Sequence, residues 1–394
     1  MEAEIRVAAF NPDFFWGRKR MKPVCDAASL LFLSITIAFF TACGSTSGSP
    51  MPSSQSFVYV ANQDSQNISA FRRDPSSGAL TPVAGSPFAV DVHFGVWWWP
   101  SFIVDSKNRF LFALNNNLEG TKGVGQLSVF VINPNTGALS EASGSPFSFP
   151  AASLESVSTD PQGRFVYVTT LLGGIVAWKI DRTHLTLIPV PGSPFGDKSK
   201  EYTASLDPAG KFLYATDGYD ISIYAIDPDS GALSLTNGPF YLPQDSPMSF
   251  TLHPSGHIAY VSGHKNFDSP ELWACLVDPS NGAVSGVQAY PAIQPLTISN
   301  NGKFLLSTLG TYAIDESSGL LSQSSSEPLK SLAPIAAATS PDSQFVYAVV
   351  WNQPRAGAAS VFAFSLDETT GSLSPIVGSP YMVGDVPTAI AITH

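Results

Sequence analysis

Charge is scarce in this chain, and cysteine is scarcer. Only 13% of its 394 residues are charged, and three are cysteine. Three cysteines cannot staple a fold of this size, so a disulfide framework is excluded. Lys and Arg number 20 against 31 Asp and Glu, which leaves no basic surface for nucleic acid or another polyanion. No apolar run reaches the roughly 20 residues of a membrane-spanning helix, and no long window keeps a 3.6-residue apolar period. What is abundant is 31 Gly, 32 Pro and short apolar runs such as FVYV and ISIYAI. Turn formers between short strands read as an all-β chain.

The N-terminus is of another kind. Arg18, Lys19, Arg20 and Lys22 precede AASLLFLSITIAFFTA (27–42), which runs into Cys43. A basic stretch before a short apolar one is the pattern of an export signal. Thr41-Ala42-Cys43 resembles a bacterial lipobox, with Phe40 where that pattern has Leu. The expectation is a signal over residues 1–43, started at Met1 or Met21, with Cys43 as the lipid anchor in a bacterial cell envelope. Membrane attachment is then through lipid only. Residues 44–56, GSTSGSPMPSSQS, are a tether too polar to pack, and 57–394 form the domain. Cys25 falls in the signal, and Cys275, in LWACLV, reads as a small buried hydrophobe. Removing residues 1–43 takes away five basic and four acidic residues, leaving 15 against 27, or −12.

The remainder repeats itself. Strand starts recur at Phe57, Phe110, Phe165, Phe212, Ile258, Phe304 and Phe345, at intervals of 41 to 55 residues. Periods of this length with several short strands each are those of propeller blades. Blade four parses cleanly as YTASLD, FLYATD, ISIYAID and ALSLTNGPF, strands A to D of an antiparallel meander. The A–B turn recurs as DPQGR (160–164), DPAGK (207–211), HPSGH (253–257) and SNNGK (299–303). The C–D turn recurs as DPSSGAL (74–80), NPNTGAL (133–139) and DETTGSL (367–373). Asp or Asn caps such a turn by accepting N–H bonds, and Gly takes its left-handed position. GSPF, which follows strand D, is expected to end it. Nothing before Phe57 reads as a strand A, whereas PTAIAITH (387–394) reads as a strand A with no strand B after it. The expectation is a seven-bladed β-propeller of four-stranded blades, closed by a C-terminal strand that completes the first blade. Nothing in the pattern asks for a second copy, so a monomer is expected.

FVYVAN, DPxGRFVYV and DPxSGAL resemble the lactonase family of seven-bladed propellers, which includes a bacterial 6-phosphogluconolactonase and fungal muconate-lactonising enzymes. YVAN (59–62) and YVTT (167–170) also resemble YVTN-type repeats. The resemblance covers residues 57–394 and implies the fold. It further implies carboxylic ester hydrolysis of a lactone by His, Arg and Glu around the channel mouth, with no cofactor. No motif of this sequence reproduces that cluster.

In such a meander the A–B and C–D turns share one face, and the B–C loops and D–A crossings share the other. The first is written in uniform turns, the second differs from blade to blade, and function concentrates in variable loops on a rigid scaffold. Candidate catalytic residues there are His93 and His264 as bases near neutral pH, Glu155 at the start of a strand A, and Arg355 as an anion holder. Candidate binding residues are Trp97, Trp98, Trp99, Asn115, Tyr219, Lys265 and Trp351. Each has a plain reading as well: the tryptophans as wedges between blades, the histidines as surface groups, and the Asn and Asp residues as turn formers. His253 and His257 have a metal-like spacing, but they replace Asp207 and Lys211 of the neighbouring turn and read as turn variants, so no metal is expected. Two classes of function fit: a lactone hydrolase, or a non-catalytic propeller that binds a lactone, a sugar-like ligand or a protein partner.

Overall fold

The computed structural model describes residues 55–92, 101–115, 124–150, 153–171, 173–196, 203–236, 239–241, 245–265, 269–291, 295–351 and 359–394. Its strands form seven antiparallel sheets, each a four-stranded meander, three of them with a short fifth strand. Strand A is Pro387–Ile392 in blade 1, Phe102–Val104 in blade 2, Ser153–Thr159 in blade 3 and Thr203–Leu206 in blade 4. It is Asp245–Leu252, Pro295–Ile298 and Ala336–Thr339 in blades 5 to 7. Strands A of neighbouring blades lie against each other around most of the ring, which makes them the innermost. Blade 1 takes its strand A from the C-terminus: Val58 to Asn62 pair with Ile392 back to Pro387.

Strand B carries the core. All seven residues of Ser56–Asn62 are buried. Phe57, Tyr59 and Ala61 pack toward blade 2, and Val58 and Val60 toward blade 7. Burial on both faces is why FVYV reads as an unbroken apolar run instead of an alternation. Each such side chain contributes about 1.5–3 kcal/mol. Cys275 is fully buried among them, and burial pushes its thiol up to about 12.

The recurring turns turn out to be joints between blades. Asp74 Oδ1 accepts from the N–H groups of Ser76 and Ser77 at 3.0 and 2.8 Å. Bonds from these two serines, their hydroxyls included, hold its carboxyl at about 2. The glycine that follows faces the preceding blade: a Cβ on Gly137 would lie 2.3 Å from the ring of Phe57, and Gly137 has φ of +74°. The Tyr59 hydroxyl donates to the Gly137 carbonyl at 2.9 Å. Tyr167 to Gly231, Tyr260 to Gly319 and Tyr347 to Gly78 repeat the joint at 3.0, 2.9 and 2.7 Å. The strand B tyrosine of one blade and the turn glycine of its neighbour are therefore one structural unit. The other three junctions lack the bond: the Tyr214 hydroxyl of blade 4 has no partner among the described residues, blade 6 has Leu306 in place of the tyrosine, and the third differs on both sides. Blade 3 has Leu185 at φ +53° where the others have this glycine, and blade 2, which faces it, has Phe112 in place of the tyrosine.

GSPF does not end strand D, contrary to the sequence reading. Strand C of blade 2 (Val124–Ile132) pairs first with Leu139–Glu141 and again with Phe147–Pro150. Between them the GSP segment loops out, and the Val129 N–H donates to Ser145 Oγ at 3.0 Å. Ala70 to Ser86, Ala177 to Ser193 and Ala363 to Ser379 do the same at 2.8, 2.9 and 2.9 Å. The loop would otherwise leave a buried strand C donor unpaired, and the serine supplies its acceptor.

Candidate site at the channel mouth

The innermost strands are irregular near the variable face. Strand A gains one residue against strand B in four blades: Thr388 in blade 1, Glu155 in blade 3, Met248 in blade 5 and Leu296 in blade 6. A bulge takes its extra residue out of the in–out alternation and re-aims the side chain. Glu155 is the one carboxylate of these four, and it is half-buried.

A set of hydroxyls fixes the strands beneath. Ser156 Oγ and Thr169 Oγ1 lie 2.7 Å apart, Thr203 Oγ1 and Thr216 Oγ1 3.1 Å apart, and Ser249 bonds Ser262. Each pair joins strand A to strand B within blades 3, 4 and 5. Others cross between blades: the Ala204 N–H donates to Ser156 Oγ at 3.0 Å, and Thr203 and Thr216 both donate to the Met248 carbonyl at 3.1 Å. Such side-chain networks hold a lip in place better than a loop could.

His264 lies at the end of strand B of blade 5 (Ile258–Lys265), with Nδ1 3.0 Å from the sulfur of Met248. That contact ties it to the bulge of its own blade, two blades from the bulge of Glu155. Lys265 is the next residue, its backbone opposite Asp245 and Ser269. Asn115 is buried and structural in its contacts: its amide donates to the Asp91 carbonyl at 3.2 Å and to Gln126 at 3.3 Å. Tyr219 sits in the B–C turn of blade 4, 54% exposed, and Trp351 follows strand B of blade 7, 47% exposed. His93, Trp97, Trp98, Trp99, Arg355 and Cys43 lie outside the described residues.

His253 has no ligand role to spare. Its Nε2 bonds the Gly302 carbonyl of the next blade at 2.8 Å, and its Nδ1 accepts from the Ser255 N–H at 3.1 Å. It stands where Asp160 and Asp207 cap the equivalent turns by accepting from Phe165 and Phe212. No group of three metal-ligating side chains occurs among the described residues. A depression of about 510 Å³ opens elsewhere, between blades 1 and 2, lined by Phe88, Val90, Asp91, Gln126, Phe130 and Glu141. It is a wedge where two blades diverge, and it includes neither Glu155 nor His264.

Sequence reasoning missed Met248 and the hydroxyl pairs. The pairs do have a signal, since 156 and 169, 203 and 216, and 249 and 262 share a 13-residue spacing. Met248 has none, because its role depends on register.

No curated protein sequence matches the chain significantly. Among solved structures, a candidate 6-phosphogluconolactonase of Bacteroides uniformis is similar at 17% identity and TM-score 0.67, over 86% of this chain and 99% of its own. A periplasmic gluconolactonase of Pseudomonas aeruginosa is similar at 19% identity and TM-score 0.64, over 87% and 99%. At such identities the likeness shows the fold alone. The family model for lactonases with a seven-bladed β-propeller matches residues 51–98 and 98–392, nearly the whole domain. The chain therefore belongs to the lactonase family of seven-bladed β-propellers.

Proposed function

We propose that the domain hydrolyses a sugar lactone at the variable-face mouth of its channel. The observation that carries this reading is the bulge that takes Glu155 out of the strand alternation, at the lip of a lactonase-family propeller. In this reading Glu155 accepts hydrogen bonds from the substrate hydroxyls. His264 or His93 takes a proton from the attacking water, and Arg355 or Lys265 steadies the developing oxyanion. Trp97, Trp98, Trp99, Tyr219 and Trp351 give the sugar ring faces to stack on. The −12 charge of residues 44–394 opposes a phosphorylated substrate, so a neutral aldonolactone is favoured.

The test is a panel of neutral and phosphorylated lactones on residues 57–394. Turnover of a neutral lactone is expected, with kcat/KM about 10²-fold lower or worse in Glu155→Gln, His264→Ala and Arg355→Ala. Calorimetric binding without turnover would make the protein a non-catalytic binding propeller. Neither binding nor turnover would overturn the reading.

The same proposal places the domain outside the cytoplasm, tethered by Cys43. The leader pattern supports this, as does the periplasmic address in the name of the Pseudomonas aeruginosa relative. Cys43→Ser should release the protein from membranes or block its processing; normal processing with retention at the membrane would count against the anchor.

A further inference from the structure

Met248 occupies an unusual place for a methionine. In strand A of blade 5, Pro247 opposes Gly263 and Ser249 opposes Ser262, so Met248 is the inserted residue. Its carbonyl receives two hydroxyl bonds from blade 4, from Thr203 and Thr216. With its backbone clamped from the neighbouring blade, its side chain has a fixed origin, and the sulfur comes to 3.0 Å from Nδ1 of His264. A thioether has lone pairs and no proton to give. The hydrogen in this contact therefore belongs to Nδ1. In the neutral imidazole the other nitrogen, Nε2, is then the acceptor.

We propose that Met248 is a positioning residue that holds His264 in its Nδ1–H tautomer, so that Nε2 presents the lone pair a general base needs. The part is the one usually taken by a carboxylate or carbonyl that orients a catalytic histidine, here given to an uncharged sulfur. An uncharged acceptor fixes the tautomer without placing a negative charge against the ring. In hydrolysis, Nε2 takes one proton from water while the water oxygen bonds the lactone carbonyl carbon. The Nδ1–H stays on the sulfur throughout. When the tetrahedral intermediate collapses and the ring C–O bond breaks, Nε2–H returns that proton to the departing alkoxide, and the product is the hydroxy acid. The catalytic purpose rests on the function proposed above, whereas the tautomer rests on the contact alone.

The two are tested separately. The purified protein, with its histidine rings labelled in 13C and 15N, reports the tautomer of His264 by NMR at alkaline pH, with the signal assigned by its loss in His264→Gln. The Nδ1–H form should predominate in the wild type. Met248→Leu keeps bulk and removes the acceptor, and it should shift the ring toward Nε2–H. Met248→Gln restores an acceptor and should restore the tautomer. On the lactone turned over by the wild type, Met248→Leu should lower kcat by about tenfold with little change in KM. That is less than the roughly 10²–10⁴-fold loss from removing a base outright, and Met248→Gln should recover most of it. A wild-type ring in the Nε2–H form, or a tautomer unmoved by Met248→Leu, overturns the proposal. If Met248→Leu does not fold, the wild-type spectrum decides alone. A tautomer that behaves as expected in a protein that hydrolyses no lactone keeps the positioning role and sinks the proposed function.

Discussion

Tyr260 and Tyr214 hold the same place in strand B of adjacent blades, and their hydroxyls meet different surroundings. Tyr260 donates to the Gly319 carbonyl of the next blade, while the buried Tyr214 hydroxyl has no partner among the described residues. Tyr214 instead stacks on Phe250 of blade 5, ring centres 4.6 Å apart and planes 9° from parallel. Burial drives the phenol pKa of both upward. Tyr260→Phe should therefore cost about 1–2 kcal/mol, because it strips a buried carbonyl of its donor. Tyr214→Phe should be neutral or slightly stabilising, since it removes a buried hydroxyl that gains nothing. Urea denaturation of both variants checks this, and equal losses would show that the joint does not depend on the bond. The candidate site is a residue-scale matter too, and only part of it was legible. Glu155 and His264 stand out as candidates because ionisable side chains are rare on the inner strands and variable loops of a chain so poor in charge. Met248 was not, because a methionine that accepts a hydrogen bond looks in sequence like one that fills a gap. Asn115 was read as a binding residue from its place on the loop face, yet its amide is engaged with the Asp91 carbonyl and Gln126.

Among the elements, the turns were the most legible. A tight reversal admits few residues: an acceptor at its start, a left-handed position near its end. Those demands left DPxxG and DPxSG in the sequence. What the turns do beyond reversing was hidden. The requirement on Gly137 comes half from its own φ and half from Phe57 of another blade, 80 residues away in sequence (137 − 57). GSPF was misread for a related reason. Gly and Pro interrupt a ladder in either case, and only the bond from Val129 to Ser145 distinguishes an excursion from an end. The bulges were not legible at all. One extra residue in strand A changes register without changing composition, so Ser153–Thr159 and Asp245–Leu252 read as ordinary strands.

The ring as a whole depends on one strand from the far end of the chain. Pro387–Ile392 pairs with Ser56–Asn62, and beyond it the closure continues through side chains. The Phe57 N–H donates to Thr393 Oγ1 at 2.7 Å, Ser56 Oγ to the Thr393 carbonyl at 3.1 Å, and the His394 N–H to Asn108 of blade 2 at 2.8 Å. Thr393 thus caps the A–B junction of blade 1 as Asp160 does in blade 3, although no A–B turn joins these strands. Deleting residues 386–394 removes the pairing, the cap and the apolar contacts of Ile390, Ala391 and Ile392 with blades 1, 2 and 7. Each buried Ile contributes about 1.5–3 kcal/mol and each buried backbone bond about 1. The sum is on the order of 5–10 kcal/mol, as large as the roughly 5–15 kcal/mol that keeps a whole domain folded. The loss should be global, since the deletion also bares the inner edge of strand B of blade 1 to other chains. The truncated protein is expected to lose its cooperative melt or to associate through the open edge, and a peptide of residues 386–394 added in trans should restore much of the transition. A truncated monomer that melts at the wild-type temperature would show that the ring does not close through this strand.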